Sequence, residues 1–219
     1  MGIVLGNAAV TITMNKPVRS ARKAKGDGHL RRAEILQAAE RIFLRDGYQG
    51  ATIRKIADEV GVSSTALYMH FRDKDDILLE ICAGAVGVLL AQNTEIASRP
   101  IAASTRVRLI LESYMRFGLD NPNTYWLTFC SSAEENSAGA HTVAFELGES
   151  CFERFKSVLS DIAQEGKLRS DVDIAAQLLW AACHGLIALR IGRPNFGWSP
   201  DEQLMETMLD SLFKGQVVE

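Results

Sequence analysis

The chain is predicted to be all-α, and three observations point to that class. Apolar residues recur at helical spacing from about residue 30 onward, the runs are punctuated by capping residues and glycines, and no alternating strand pattern of convincing length occurs. Hydrophobic content of 47% with charged content of 23% is that of an ordinary globular protein, which excludes disordered and collagen-like chains. A length of 219 residues suffices for one substantial core or two modest ones.

The first predicted helix begins near Leu30 and carries Ile35, Ala38, Ala39, Ile42 and Phe43 on one face until Gly47 stops it. Thr52 then stands where a hydroxyl caps a helix whose apolar face is Ile53, Ile56, Ala57 and Val60, and Gly61 ends that helix. A very short third helix follows, with Ser63 as its cap. Asp73 caps a long fourth helix with Asp75 and Asp76 in its first turn, where carboxylates suit the positive end of the helix dipole. Beyond Arg99 and Pro100, helices are expected over about 104–118, 122–131, 142–165, 171–192 and 201–214. The stretch SSAEENSAGA, polar and small, reads as a mobile loop between the second and third of these.

The longest mainly apolar stretch, residues 174–191, contains Gln177, His184 and Arg190, so a buried helix fits it better than a membrane span. The N-terminal residues lack the basic leader of a secretory signal, and a cytoplasmic protein with no membrane partner is expected. Cys82, Cys130, Cys151 and Cys183 are scattered without CxxC spacing, which suggests buried free thiols and neither a metal site nor a disulfide framework. No cofactor is implied.

Charge is unevenly distributed. Residues 1–74 hold thirteen Lys and Arg against seven Asp and Glu, whereas residues 75–219 hold eleven against twenty. The basic part suits a polyanion. Within it, TIRKIADEV, GVS and STALYMHF form two short helices around a glycine turn, the pattern in which one helix braces and the next enters the DNA major groove. Ile53, Ile56, Ala57, Val62, Leu67 and Phe71 are expected to point inward. Ser63, Ser64, Thr65, Tyr68 and His70 are left outward, where hydroxyls can bond phosphate or base edges and the Thr65 methyl can meet thymine.

Residues 32–81 resemble the N-terminal DNA-binding domain of TetR-family transcriptional repressors. Phe43, Asp46-Gly47-Tyr48, Ala51-Thr52, Ile56-Ala57, Gly61-Val62-Ser63, Leu67-Tyr68, His70-Phe71 and Lys74 carry the resemblance, which runs for about fifty residues without an apparent gap. It implies that Thr52 caps its helix and touches a phosphate, that Arg54 reaches a base or phosphate, and that Ser63, Ser64 and Thr65 present the recognition helix to the groove. Tyr68 and His70 would grip the backbone, and Lys74 would pair with a phosphate. Met69 departs from the aromatic common at that position. The division expected is a basic arm over residues 1–29, a helix-turn-helix domain over 30–76, and a helical ligand-binding and dimerisation domain over 77–219.

The resemblance also implies a homodimer, double-stranded operator DNA as partner, and a small-molecule effector that releases the operator. Small residues in the helix over 171–192 permit close helix approach, and with the stripe Leu204, Met208, Leu209, Leu212 and Phe213 they suit a four-helix dimer interface. His184-Gly185 looks like the His-Gly signature of one subgroup, from which Cys183 departs. Tyr114, Phe117, Tyr125, Trp126 and Phe129, with Phe145, Phe152 and His184, are the candidates for a mainly apolar ligand site, which points to a hydrophobic or aromatic effector. Two rivals stand beside this reading: a repressor sensing oxidants through Cys130 or Cys183, and an all-α enzyme using His141 or His184 as base. No basic residue near either thiol in sequence lowers its pKa, and no nucleophile, paired carboxylate or metal spacing stands near either histidine, so catalysis is not expected.

Overall fold

A computed structural model of the chain describes residues 27–130 and 138–218; the side chains of residues 27–30, 138–145 and 147 lie outside the description. Most of the basic arm, most of the SSAEENSAGA loop and the side chains of His141 and Phe145 therefore fall outside it. The described residues form α1 (Asp27–Gly50), α2 (Ile53–Val60), α3 (Ser64–Tyr68), α4 (Lys74–Ala97), α5 (Ala103–Asp120) and α6 (Pro122–Tyr125). A π-helical turn (Trp126–Cys130) continues α6, and α7 (Ala138–Gln164), α8 (Val172–Gly192) and α9 (Asp201–Gln216) follow. The only pairing of extended backbone among these residues is a single antiparallel bridge between Leu168 and Val217.

Local chemistry sets the ends of the early helices. Gly47, at φ 70° and ψ 167°, breaks α1 into a long helix and a terminal turn. The side chains of Thr52, Ser63 and Asp73 accept from the backbone N–H groups of Lys55, Ala66 and Asp76, each satisfying a donor that the first helical turn leaves free. Gly61 takes the left-handed conformation, φ 72° and ψ 35°, and the chain leaves α2 with Val62 N–H donating to Ala57 O at 2.9 Å.

One departure concerns the helix expected over 122–131: its described residues, 122–130, form one turn of α-helix and then a π turn instead of a continuous helix. Pro122 starts the segment at the position where its missing N–H costs nothing. The Thr128 hydroxyl then donates to Thr124 O at 2.7 Å, competing for the carbonyl that an α-helix needs for its backbone ladder.

Two apolar clusters organise the packing. The first gathers Ile35, Ala39, Ile42 and Phe43 of α1, Ile56 and Ala57 of α2, Leu67, Phe71, and Ile77, Leu78, Ile81 and Cys82 of α4. The second is built by α5, α7, α8 and α9 with Ile96 at the far end of α4. Two helices, α4 and α8, are long and apolar enough to cross a membrane by length and composition, but α4 supplies nine buried residues to this fold, and core helices commonly pass that test.

Gly118 is where α5 meets α8 and α6 most closely. A Cβ there would lie 2.6 Å from Ile187 Cγ2 and 2.9 Å from the Tyr125 ring, whereas one at Gly84 on α4 would meet nothing within 4 Å. Gly118→Ala should therefore destabilise the protein by about 1–3 kcal/mol in urea unfolding. Gly84→Ala should be neutral or stabilise by up to about 1 kcal/mol, through helix propensity. Equal effects of the two would contradict this packing.

Candidate functional site

The capped turn between α2 and α3 presents one face to solvent. Thr65 is exposed, Tyr68 is 56% exposed and Met69 84% exposed, so an apolar tip projects beside the hydroxyls. Ser64 and His70 are half-buried. Arg54 extends from the first turn of α2, held among the described residues only by a 3.9 Å contact to Asp58. The Lys74 ammonium is engaged more closely: it donates to Tyr48 O at 2.7 Å and rests 3.9 Å from the centre of the Tyr48 ring. Partial burial holds its pKa below the usual lysine value.

Arg32 braces this face from behind. Its guanidinium bonds the Glu80 carboxylate on α4, donates to His70 O at 2.6 Å and lies 4.1 Å over the Phe71 ring. Those contacts join α1, the end of the recognition helix and α4, and the Glu80 bond raises the Arg32 pKa further. A neighbouring link joins the Tyr48 hydroxyl to Asp75.

Inside the C-terminal helices lies a cavity of about 720 Å³ between α4, α5, the π turn, α7 and α8. Its walls are mainly apolar, with Val86 and Leu89 of α4, Ile110 and Leu111 of α5, and Phe129, Phe152 and Trp180 among them. That is the usual size and character of a small-molecule site. Tyr114 is its phenolic handle and begins a buried relay. Trp180 Nε1–H donates to the Tyr114 hydroxyl at 3.2 Å, the Tyr114 and Tyr125 hydroxyls are 2.7 Å apart, and Tyr125 lies 2.6 Å from His184 Nδ1. Burial lowers the His184 pKa, favouring a neutral ring that accepts at Nδ1. The relay is then satisfied when Tyr114 donates to Tyr125 and Tyr125 to His184. Burial also pushes both phenols well above the usual tyrosine value.

The π turn joins the cavity to the reading face. Thr128 and Phe129 line the cavity, and Leu127, which also borders it, is buried in the cluster beneath α2 and α3. One turn earlier, the Thr124 hydroxyl donates to the half-buried Glu40 carboxylate of α1 at 2.9 Å. Desolvation raises the Glu40 pKa from its ordinary 4.5, only partly offset by that bond. The thiols are shifted the same way: burial pushes Cys82 and Cys151 up to about 11 and Cys183 up to about 12, and raises Cys130. Little thiolate is available on them at neutral pH.

The cavity brings together only some of the aromatics expected from sequence. Tyr114, Phe129 and Phe152 line it; Tyr125 and His184 stand behind Tyr114 in the relay. Phe117 faces a separate groove between α4 and α5, Trp126 packs beside Gly192 at the end of α8, and Phe145 lies outside the described side chains. The sequence reading assigns no ligand role to Trp180, Asn93 or Thr128 of the cavity wall, and Met69, which departs from the usual aromatic, is exposed on the reading face. Helical spacing carried a signal for Trp180, which stands one turn before His184 on α8.

A capped helix-turn-helix on a three-helix core, followed by a helical domain with an internal cavity, defines the class of helix-turn-helix regulators. Residues 35–81 match the family of bacterial regulatory proteins of the tetR type, and residues 107–212 match the tetracyclin repressor-like C-terminal domain. The nucleoid occlusion factor SlmA of Salmonella dublin is 31% identical over 186 residues, covering 78% of this chain and 88% of that protein. The HTH-type transcriptional repressor KstR2 of Rhodococcus jostii is 27% identical over 187 residues, 83% of this chain and 91% of that one. The structure of the ketosteroid transcriptional regulator KstR2 of Mycobacterium tuberculosis superposes with a TM-score of 0.73 at 22% identity, covering 86% of this chain and 96% of that one. The chain belongs to the TetR family of transcriptional regulators. Regulators of this family bind operator DNA and effector ligands, act as dimers, and are not enzymes.

Glu40 gives a pH test of the joint between α1 and α6. A carboxyl raised on folding holds its proton more tightly in the native state, so its contribution favours folding at low pH and is lost as pH rises from about 4.5 through the raised native value. Glu40→Gln removes that loss. In urea unfolding across this range, the stability of Glu40→Gln relative to the natural chain should improve as pH rises; a pH-independent difference would contradict a desolvated Glu40.

Proposed function

We propose that this chain is a dimeric transcriptional repressor that leaves a near-palindromic operator when a small hydrophobic or aromatic effector fills the cavity between α4, α5, α7 and α8. One observation carries the reading: a single π turn supplies Leu127 to the core beneath the recognition helix and Thr128 and Phe129 to the cavity wall. An effector that displaces the wall thereby loads the reading face.

In this reading Ser63, Ser64 and Thr65 bring the N-terminus of α3 into the major groove, Tyr68 and His70 hold the DNA backbone, and Thr52 and Arg54 contact it from α2. The Lys74 ammonium, which donates to Tyr48 O and Ala51 O, meets a phosphate with its third hydrogen. The arm over residues 1–29 adds phosphate contacts, the helix-turn-helix domain spans 30–76, and 77–219 bind the effector and the second copy. The apolar stripe of Ile174, Leu178 and Leu189, exposed on α8, forms the dimer face together with α9. Tyr114, Phe129, Phe152 and Trp180 hold the effector, with Tyr125 and His184 orienting Tyr114. The protein works in the cytoplasm, on the nucleoid.

Two recognition helices of a dimer must stand about 34–36 Å apart to meet successive major grooves, so a change in their spacing releases the DNA. A coupling free energy of about 1–3 kcal/mol changes operator affinity about 5–150-fold.

The test is to recover the genomic fragments that the purified protein binds at physiological salt and to sequence them. The expected result is a few sites that share an inverted repeat. Thr65→Ala and Tyr68→Ala should each weaken binding to the recovered site by about tenfold or more, without unfolding the protein. Absence of any enriched sequence, or undiminished affinity in both variants, would refute the assignment of the reading face.

A further inference from the structure

We propose that the effector carries a cationic head, an alkylammonium group, on an apolar body; this rests on the reading of the cavity as the effector site. Among the described residues, acceptors and negative charge are in excess around the cavity. Glu149 and Glu153 of α7 and Asp173 of α8 border it against one cation, Lys156, whose ammonium is already held by Asp173 at 2.6 Å and Glu153 at 3.1 Å. Glu149 pairs with no described residue. Between Arg116 and Arg154 the sequence contains no lysine or arginine at all, so that whole span of chain has no cation with which to meet an anionic ligand.

An independent observation lies deeper. Asn93 of α4 is 4% exposed and borders the cavity; its amide donates to Cys151 Sγ at 3.2 Å, while its Oδ1 is buried and accepts from no described residue. A buried acceptor without a donor is costly, and Cys151 places it against the turn of α7 that bears Glu149 and Glu153. An ammonium N–H group supplies the missing donor, and the carboxylates, exposed at the edge of the cavity, favour the entry of a cation. Aromatic faces complete the site: Phe152 and Trp180 have ring centroids 5.7 Å apart, and ring faces attract a cation. A carboxylate or phosphate entering the same space would meet Glu149, which no described residue neutralises, and could recruit Lys156 only by breaking two ion pairs.

The experiment is calorimetric titration of the full chain, at neutral pH and below micellar concentrations, with three probes of equal tail length: dodecylamine, dodecanol and dodecanoate. Dodecylamine should bind about tenfold or more tightly than dodecanoate. Glu149→Gln should weaken dodecylamine about three- to tenfold and leave dodecanol unchanged, whereas Glu95→Gln, the same charge change outside the cavity, should alter neither. If dodecanoate binds as tightly as dodecylamine, or Glu149→Gln changes nothing, the charge assignment is overturned while the cavity stands as a site for apolar molecules. If no probe binds and operator binding is intact, the cavity reading falls with it.

Discussion

Helix α4 belongs to both apolar clusters, and the rest of the architecture depends on that. Its first turns give Ile77, Leu78, Ile81 and Cys82 to the core beneath the recognition helix, while Ile96, near its end, packs with α5, α7, α8 and α9. The intervening Val86, Leu89 and Asn93 border the cavity. A 24-residue helix is roughly 36 Å long, and close-packed side chains at both ends leave little slack to absorb a displacement. In the proposed mechanism, a displacement of the middle of α4 is passed to Lys74 and to the turn before it.

The contacts around the first turn of α4 make that transmission specific. Arg32 ties Glu80 of α4 to the His70 carbonyl at the end of the recognition segment, and Lys74 ties α4 to the end of α1 through Tyr48. A second route runs through the π turn, where Leu127 enters the N-terminal core and Thr124 holds Glu40. Both routes end on α1 and α4, the helices that carry α2 and α3. A wide helical turn is a reasonable joint for this purpose, because its carbonyl ladder is already diverted by the Thr128 hydroxyl.

Features governed by neighbouring residues could be read from the sequence. Thr52, Ser63 and Asp73 cap their helices as their chemistry dictates, Gly61 adopts the left-handed turn, and Ile56, Ala57, Leu67 and Phe71 are buried on the inward face. Features set by distant segments could not. The π turn depends on a side-chain bond of Thr128 that competes with a helix of ordinary appearance, and Arg32 reads as a surface charge until α4 folds back against it. The cavity is the clearest instance. Clustering in sequence drew attention to Phe117, Tyr125 and Trp126, yet the wall is assembled from four helices and the π turn, so Trp180 and Asn93 take part although no aromatic run announces them.

The central claim is that filling the cavity changes the spacing of the two reading faces. The direct measurement is the distance between spin labels at Met69→Cys in a dimer whose native cysteines are replaced, taken free, on the operator, and with a compound that releases the operator. The account predicts a narrow distribution on DNA, consistent with recognition helices about 34–36 Å apart, and a displaced or broadened one when the compound is bound. Identical distributions in the bound and released states would contradict it.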